Sequence, residues 1–187
     1  FVLEKGSPEK VAVKYTKDAA LVVCDRGYLR HQKQWRKHVA EKSPVKVVQL
    51  ECDLVVPVET VSDKEKYAAR TIRSKIHEHW KNFRQKVSIQ KPGKRSLSLS
   101  FKGEDMDKAT EWLADMNIAQ TPGPVTGHFK GGTSEAKKRF RSWLENSYSR
   151  YDENRSQPHR DDVSFMSPYL HFGQISPLWI LEQLKGR

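Results

Sequence analysis

Two short apolar runs joined by a basic helical stretch constrain this chain more than any other feature. Ala19-Ala20-Leu21-Val22-Val23-Cys24 is one β-type run, and Val45 to Leu50 is the other. Asp25-Arg26-Gly27 turns the chain after the first run, and Leu29 to Glu41 predicts a helix between the two. Strand, crossover helix and strand predict a βαβ unit with parallel strands and a right-handed connection. A run of apolar residues without alternation predicts a strand covered on both faces. Upstream, Phe1-Val2-Leu3 predicts a short strand, and Ser7-Pro8 predicts the cap and first turn of a helix reaching about Tyr15. Ligands of such sheets sit beyond the carboxyl ends of the strands, where Asp25 and Glu51-Cys52-Asp53 fall. No Gly-rich phosphate loop occurs there, which argues against a dinucleotide or triphosphate site in this portion.

Composition narrows the rest. The 187 residues are 36% hydrophobic and 30% charged, enough for a folded chain with a modest core. No run of about 18 apolar residues exists to cross a membrane. The first residues lack the basic and apolar regions of a signal peptide, so no membrane partner is expected. The chain has no initiator Met and opens inside an apolar run, so it is expected to be an internal piece of a longer protein. Cys24 and Cys52 lie in strand-like runs and are expected to be buried thiols in a reducing compartment. No metal is expected: there is no zinc spacing, and His77 and His79, at i and i+2, point to different faces of a helix. A net charge of +11 favours a polyanionic partner.

From Asp63 the character changes to a helical stretch ending near Phe83, and residues 84–100 are polar and basic without firm period. A short helix from Asp105 to Met116, with Trp112 and Leu113 inward, and a Pro/Gly break at Thr121 to Gly127 follow. Thr133 or Ser134 then caps a helix carrying Ala136, Phe140, Trp143, Leu144 and Tyr151. After a loop from Arg155 to Ser164, one or two helices begin near Pro168. The fold class expected is α/β, a partial parallel-sheet Rossmann-like domain over residues 1–83. A linker over 84–133 and the start of an all-α domain over 134–187 complete it.

Chemistry concentrates in Tyr151 to Pro158 and in Val163-Ser164-Phe165-Met166-Ser167-Pro168-Tyr169-Leu170-His171-Phe172-Gly173-Gln174-Ile175-Ser176. Two hydroxyls three residues apart at the mouth of a helix offer an anion site, with free N–H groups and the positive dipole end behind them. A phosphate or pyrophosphate is the natural ligand, and Tyr151 on a preceding helix could reach it. Ordinary capping beside an aromatic core accounts for the same residues. Trp112, Trp143 and Trp179 read as core.

This string resembles the flavin-phosphate loop of the photolyase and cryptochrome family, and its Tyr169 to Ser176 portion resembles the class II cyclobutane-pyrimidine-dimer photolyases. Asp25 to Trp35, Val56 to Ile76, and Gly131 to Tyr151 resemble other segments of that class, in order. The resemblance implies an all-α FAD-binding domain in which Tyr151, Val163, Ser164, Phe165, Met166 and Ser167 hold the FAD pyrophosphate. It also implies Arg155 on the DNA-facing side or bracing the loop. Lys137, Lys138, Arg139, Arg141, Arg150 and Arg155 are candidates for gripping the phosphates of ultraviolet-damaged DNA. The family pattern Arg-Asn-Asp-Pro is Arg155-Ser156-Gln157-Pro158 here, which loses a carboxylate that could order the loop. Arg-Pro-Lys is Arg73-Ser74-Lys75, and Phe165 stands where a small or polar residue is usual.

The implied activity is light-driven repair of cyclobutane pyrimidine dimers by electron transfer from reduced FAD. No catalytic residue is expected within this piece, which alone should neither repair DNA nor hold FAD firmly. An antenna chromophore in the α/β domain stays open. A monomer is expected, in the cytoplasm at a prokaryotic nucleoid or in a eukaryotic nucleus. Two alternatives stand: a cryptochrome-like flavin photoreceptor, and a basic nucleic-acid-binding module without a cofactor.

Overall fold

The computed structural model describes residues 1–84, 88, 90, 91, 93, 103–119, 121–123, 125 and 127–186. The chain divides into two compact units, one of residues 1–51 with 87–124 and one of residues 52–86 with 125–187. Each is discontinuous in sequence. The residues following the second strand thus fold with the C-terminal helices, whereas the expectation from sequence kept residues 1–83 together.

In the first unit, Pro8–Thr16 forms α1, Val22–Asp25 β1, Arg30–Lys42 α2 and Val47–Leu50 β2. The strands pair in parallel, Val22 opposite Val47 and Asp25 opposite Leu50. This is the predicted βαβ unit. Helix α1 begins at Pro8, but the Ser7 side chain makes no cap; its carbonyl accepts from the Lys10 and Val11 amides at 3.0 Å. In the turn into α2, a Cβ at Gly27 would lie 2.3 Å from the end of the Gln32 side chain, so a larger residue there would push that side chain aside. Gln32 uses its amide oxygen to accept from the Leu29 N–H at 3.1 Å. Arg36 closes the turn by donating to the Gly27 carbonyl at 2.6 Å and to Gln49 of β2 at 3.2 Å.

Four expectations fail here. Phe1-Val2-Leu3 is not a strand; the Phe1 carbonyl instead accepts from the Glu104 amide at 2.7 Å. Strand β1 is not covered on both faces, since Val23 is 55% exposed and neighbouring Leu21 and Leu50 are exposed too. Burial along β1 alternates, so among the described residues one sheet face is open. Leu113 is exposed, because the predicted helix shortens to a 3₁₀ turn at Met106–Lys108 and α5 over Ala109–Asp115, too little for an inward stripe. Cys24 is half-buried and Cys52 exposed, the latter because it lies beyond the end of β2. The expected arm over 84–100 lies largely outside the described residues.

In the second unit, α3 (Val58–Val61) and α4 (Arg70–Phe83) enclose an apolar cavity of about 400 Å³ lined by Val56, Val61, Ile72 and Ile76. The C-terminal helices are α6 (Thr133–Asn146), α7 (Tyr151–Asn154), α8 (Ser167–His171) and α9 (Pro177–Gln183). Their core is Ala136, Phe140, Leu144, Met166, Tyr169 and Ile175, with Trp143 and Trp179 packed against it. Ala136, Phe140 and Leu144 recur every fourth residue, so α6 buries one stripe. Arg84, after α4, donates to Glu182 of α9 at 2.9 Å and lies over the Trp80 ring. Tyr151 does not continue α6, which stops at Asn146; a 3₁₀ turn at Tyr148–Arg150 intervenes before α7.

Candidate functional site

The face of α6 opposite its core stripe carries Glu135, Lys138, Arg139, Ser142 and Asn146, again at helical spacing. These side chains form one wall of a cleft of about 390 Å³, and Ser147, Asp161, Val163, Ser164 and Phe165 form the other. The sequence thus supplies two faces to one helix, one apolar and buried, one polar and lining the cleft. Arg139 is held in place. It donates to the His128 carbonyl at 2.7 Å, and its guanidinium lies 4.9 Å from the Phe129 ring centre and 6.0 Å from that of Phe165.

The far wall is a loop without regular structure, and one buried carboxylate organises it. Asp162 accepts from the Arg150 guanidinium at 2.8 Å and from the Asn154 amide at 2.6 Å. Its backbone carbonyl accepts from the Trp143 indole N–H at 2.7 Å. The Arg150 hydrogen bond, followed by that of Asn154, holds the Asp162 carboxyl below its ordinary value, because both donors favour the charged form. This residue did not stand out in sequence. Its carboxylate ties the loop to Arg150 and to Asn154 of α7.

The six sequence-predicted site residues separate into three groups. Val163, Ser164 and Phe165 line the cleft. Met166 is buried in the hydrophobic core and does not line the cleft. Ser167 opens α8, exposed and outside the cleft lining; Tyr151 stacks edge-on against Trp143, its ring centre 5.5 Å away. Trp143 itself lines the cleft, which sets Tyr151 one ring removed from it. Arg155 lines a neighbouring cleft of about 340 Å³ with Ser156, Gln157, Pro158 and Arg160. Among the cations named for DNA, Lys138 and Arg139 face the first cleft, while Lys137 and Arg141 lie over Trp179. Arg150 is occupied by Asp162.

The donor chemistry of this cleft suits a phosphate-bearing ligand: two cations, three hydroxyls and an amide converge on one space. Glu135 and Asp161 line the same space and would repel an anion placed next to them.

Comparison with known proteins shows what the chain is similar to. The DNA photolyase family model matches residues 1–93. A deoxyribodipyrimidine photo-lyase of Methanothermobacter thermautotrophicus is 38% identical over 180 residues, covering 96% of this chain and 39% of that protein. The chain is thus similar to the photolyase/cryptochrome family. A photo-lyase of Potorous tridactylus is 27% identical over 94% of the chain and 33% of its own length, so the chain spans between a third and two fifths of these family relatives. The crystal structures of a class III photolyase from Agrobacterium tumefaciens and of a Synechocystis cryptochrome both superpose with a TM-score of 0.64. They are 18% and 16% identical, cover 99% and 97% of this chain, and correspond to it over 39% of their own lengths. At that identity they show a shared photolyase/cryptochrome fold, with its mixed helices and small parallel sheet. Among the described residues no helix is long and apolar enough to cross a membrane.

Proposed function

We propose that this chain is part of a class II-type deoxyribodipyrimidine photo-lyase and supplies the first wall of its flavin site. The division expected from sequence is kept here as a division of family domains, residues 1–83 in the α/β part, 84–133 between domains and 134–187 opening the FAD-binding part; it differs from the two compact units in where residues 52–86 fall. The carrying observation is that Ser164, from the family-like loop, shares a cleft with Lys138 and Arg139 of α6. The names of the curated relatives support the activity, and the order of the class II-like segments supports the class.

Lys138, Arg139, Ser142 and Ser164 would hold the diphosphate of FAD, while Ser167 would donate from the start of α8. Bound and reduced, FAD supplies the photoexcited electron that splits a cyclobutane pyrimidine dimer. The residues on this chain bind and orient. Arg139 meets phosphate oxygens with a guanidinium already fixed by Phe129 and the His128 carbonyl, so little side-chain freedom is lost on binding. Asp162 keeps the opposite loop in register through Arg150 and Asn154. Arg155, exposed beside its own cleft, would grip a phosphate of the damaged strand.

The test is the full-length protein containing this chain, purified and assayed for flavin absorbance and for blue-light opening of thymine dimers. Bound flavin with light-dependent repair is expected, and exchange of Arg139 for Glu should strip the flavin. A flavin-free protein without repair overturns the proposal; flavin without repair favours a photoreceptor.

A further inference from the structure

Two neighbours hold the Arg139 guanidinium, and both belong to one segment: the His128 carbonyl at 2.7 Å and the Phe129 ring, its centre 4.9 Å away. Residues 128–132 run to the start of α6 without helix or strand of their own. His128, Lys130, Gly131 and Gly132 are exposed, so burial does little to fix where the segment lies. The ties that fix it come from α8 and the turn after it. The Tyr169 hydroxyl donates to the Lys130 carbonyl at 2.9 Å, and the Gln174 side chain accepts from the Gly132 amide at 3.0 Å. The Tyr169 ring also meets that of Phe129 edge-on, 6.3 Å between centres. Tyr169 is only 2% exposed and belongs to the hydrophobic core, where close packing sets the direction of its hydroxyl. Neither Tyr169 nor Gln174 lines the cleft.

We infer that Tyr169 and Gln174 are positioning residues for Arg139. They pin the 128–132 segment to the core, and the segment presents a carbonyl and an aromatic face to the guanidinium. The His128 carbonyl takes one N–H of the guanidinium fork and leaves the others for a ligand. The Phe129 face attracts the cation from beside it. Released from its two ties, the segment would carry the His128 carbonyl away, and Arg139 would have to lose its rotamer freedom on binding. The same ties also steady the start of α6, since the Gly132 carbonyl accepts from the Ala136 amide at 3.0 Å. A general loosening of the fold and a specific loss of Arg139 geometry are therefore separable only through Arg139 itself. This inference rests on the reading that Arg139 meets a diphosphate.

FAD titrated into the full-length apoprotein, followed by flavin fluorescence, tests it as a double-mutant cycle. Tyr169→Phe removes only the hydroxyl and keeps the ring in the core. Gln174→Leu removes the other tie from a half-buried position outside the core, and carries the same comparison if Tyr169→Phe fails to fold. Each should weaken FAD about fivefold in the parent and by less than about twofold in an Arg139→Ala background, because the cation that they place is gone. Inorganic pyrophosphate, titrated calorimetrically, should bind the parent and lose affinity in each tie variant. Parent-like FAD affinity in both tie variants, with Arg139→Ala weakened, overturns the positioning and leaves the diphosphate site standing. Equal losses with and without Arg139 also overturn it, since the ties would then act on the fold alone. An Arg139→Ala protein that binds FAD and pyrophosphate as the parent does overturns the diphosphate reading and the positioning together.

Discussion

Asp162 shows how much one side chain can organise. It is buried, yet its two carboxylate oxygens and its carbonyl meet an arginine, an asparagine and an indole N–H, which ties α7, the 3₁₀ turn before it and α6 to the loop carrying Ser164. A buried carboxylate so satisfied is tolerated, whereas a neutral replacement leaves the Arg150 charge without its partner. The sign of the pH dependence follows from the direction of the shift. The folded-state value lies below the unfolded one of ~3.9, so the stabilisation is complete above that pH and is lost as pH falls through the folded value. In thermal melts from pH 6 to pH 3, Asp162→Asn should melt below the parent at pH 6, and the gap should close below about pH 4. A gap independent of pH would show that the ion pair with Arg150 is not its source. Nothing in the sequence marked Asp162 over Asp161 beside it. Their roles differ only because the chain turns one inward.

At the scale of elements, α6 and α8 place the site. Helix α6 ends where Asn146 and Ser147 compete with its backbone: the Asn146 amide donates back to the Ser142 carbonyl at 2.8 Å, and Ser147 leaves helical geometry at φ −130°. That break, absent from a reading of apolar spacing alone, is what sets Tyr151 on its own short helix. Helix α8 ends on Gly173 at φ +63°, with the Gly173 amide donating to Leu170 at 3.2 Å and the Gln174 amide to Tyr169 at 2.8 Å. This left-handed termination turns Gln174 so that its side chain accepts from the Gly132 amide, one residue before α6 begins. Gly173→Ala meets no atom within 4 Å, so its cost is conformational, on the order of 1 kcal/mol, measurable as a lower urea midpoint. Phe140→Ala, which empties the centre of the core, should cost about 3–5 kcal/mol in the same measurement. A smaller loss would show that Trp143 and Trp179 collapse into the space.

Over the whole molecule, 34 basic against 23 acidic residues make a field that attracts polyanions irrespective of sequence. If Arg155 meets a DNA phosphate, as proposed, Arg155→Ala in the full-length protein should reduce the slope of log affinity against log salt by about 1, weakening damaged and undamaged duplex alike. An unchanged slope would confine Arg155 to bracing its loop. What the sequence determined alone were the parallel βαβ unit and the helical second half, because periodicity and turn chemistry act over a few residues. Tertiary structure decided the rest: that β1 keeps an open face, that residues 52–86 fold with the C-terminal helices, and that Met166 turns into the core while Ser164 turns toward Lys138 and Arg139. Those outcomes depend on which surfaces meet across tens of residues. No local pattern encodes that, since burial is a property of the partner as much as of the residue.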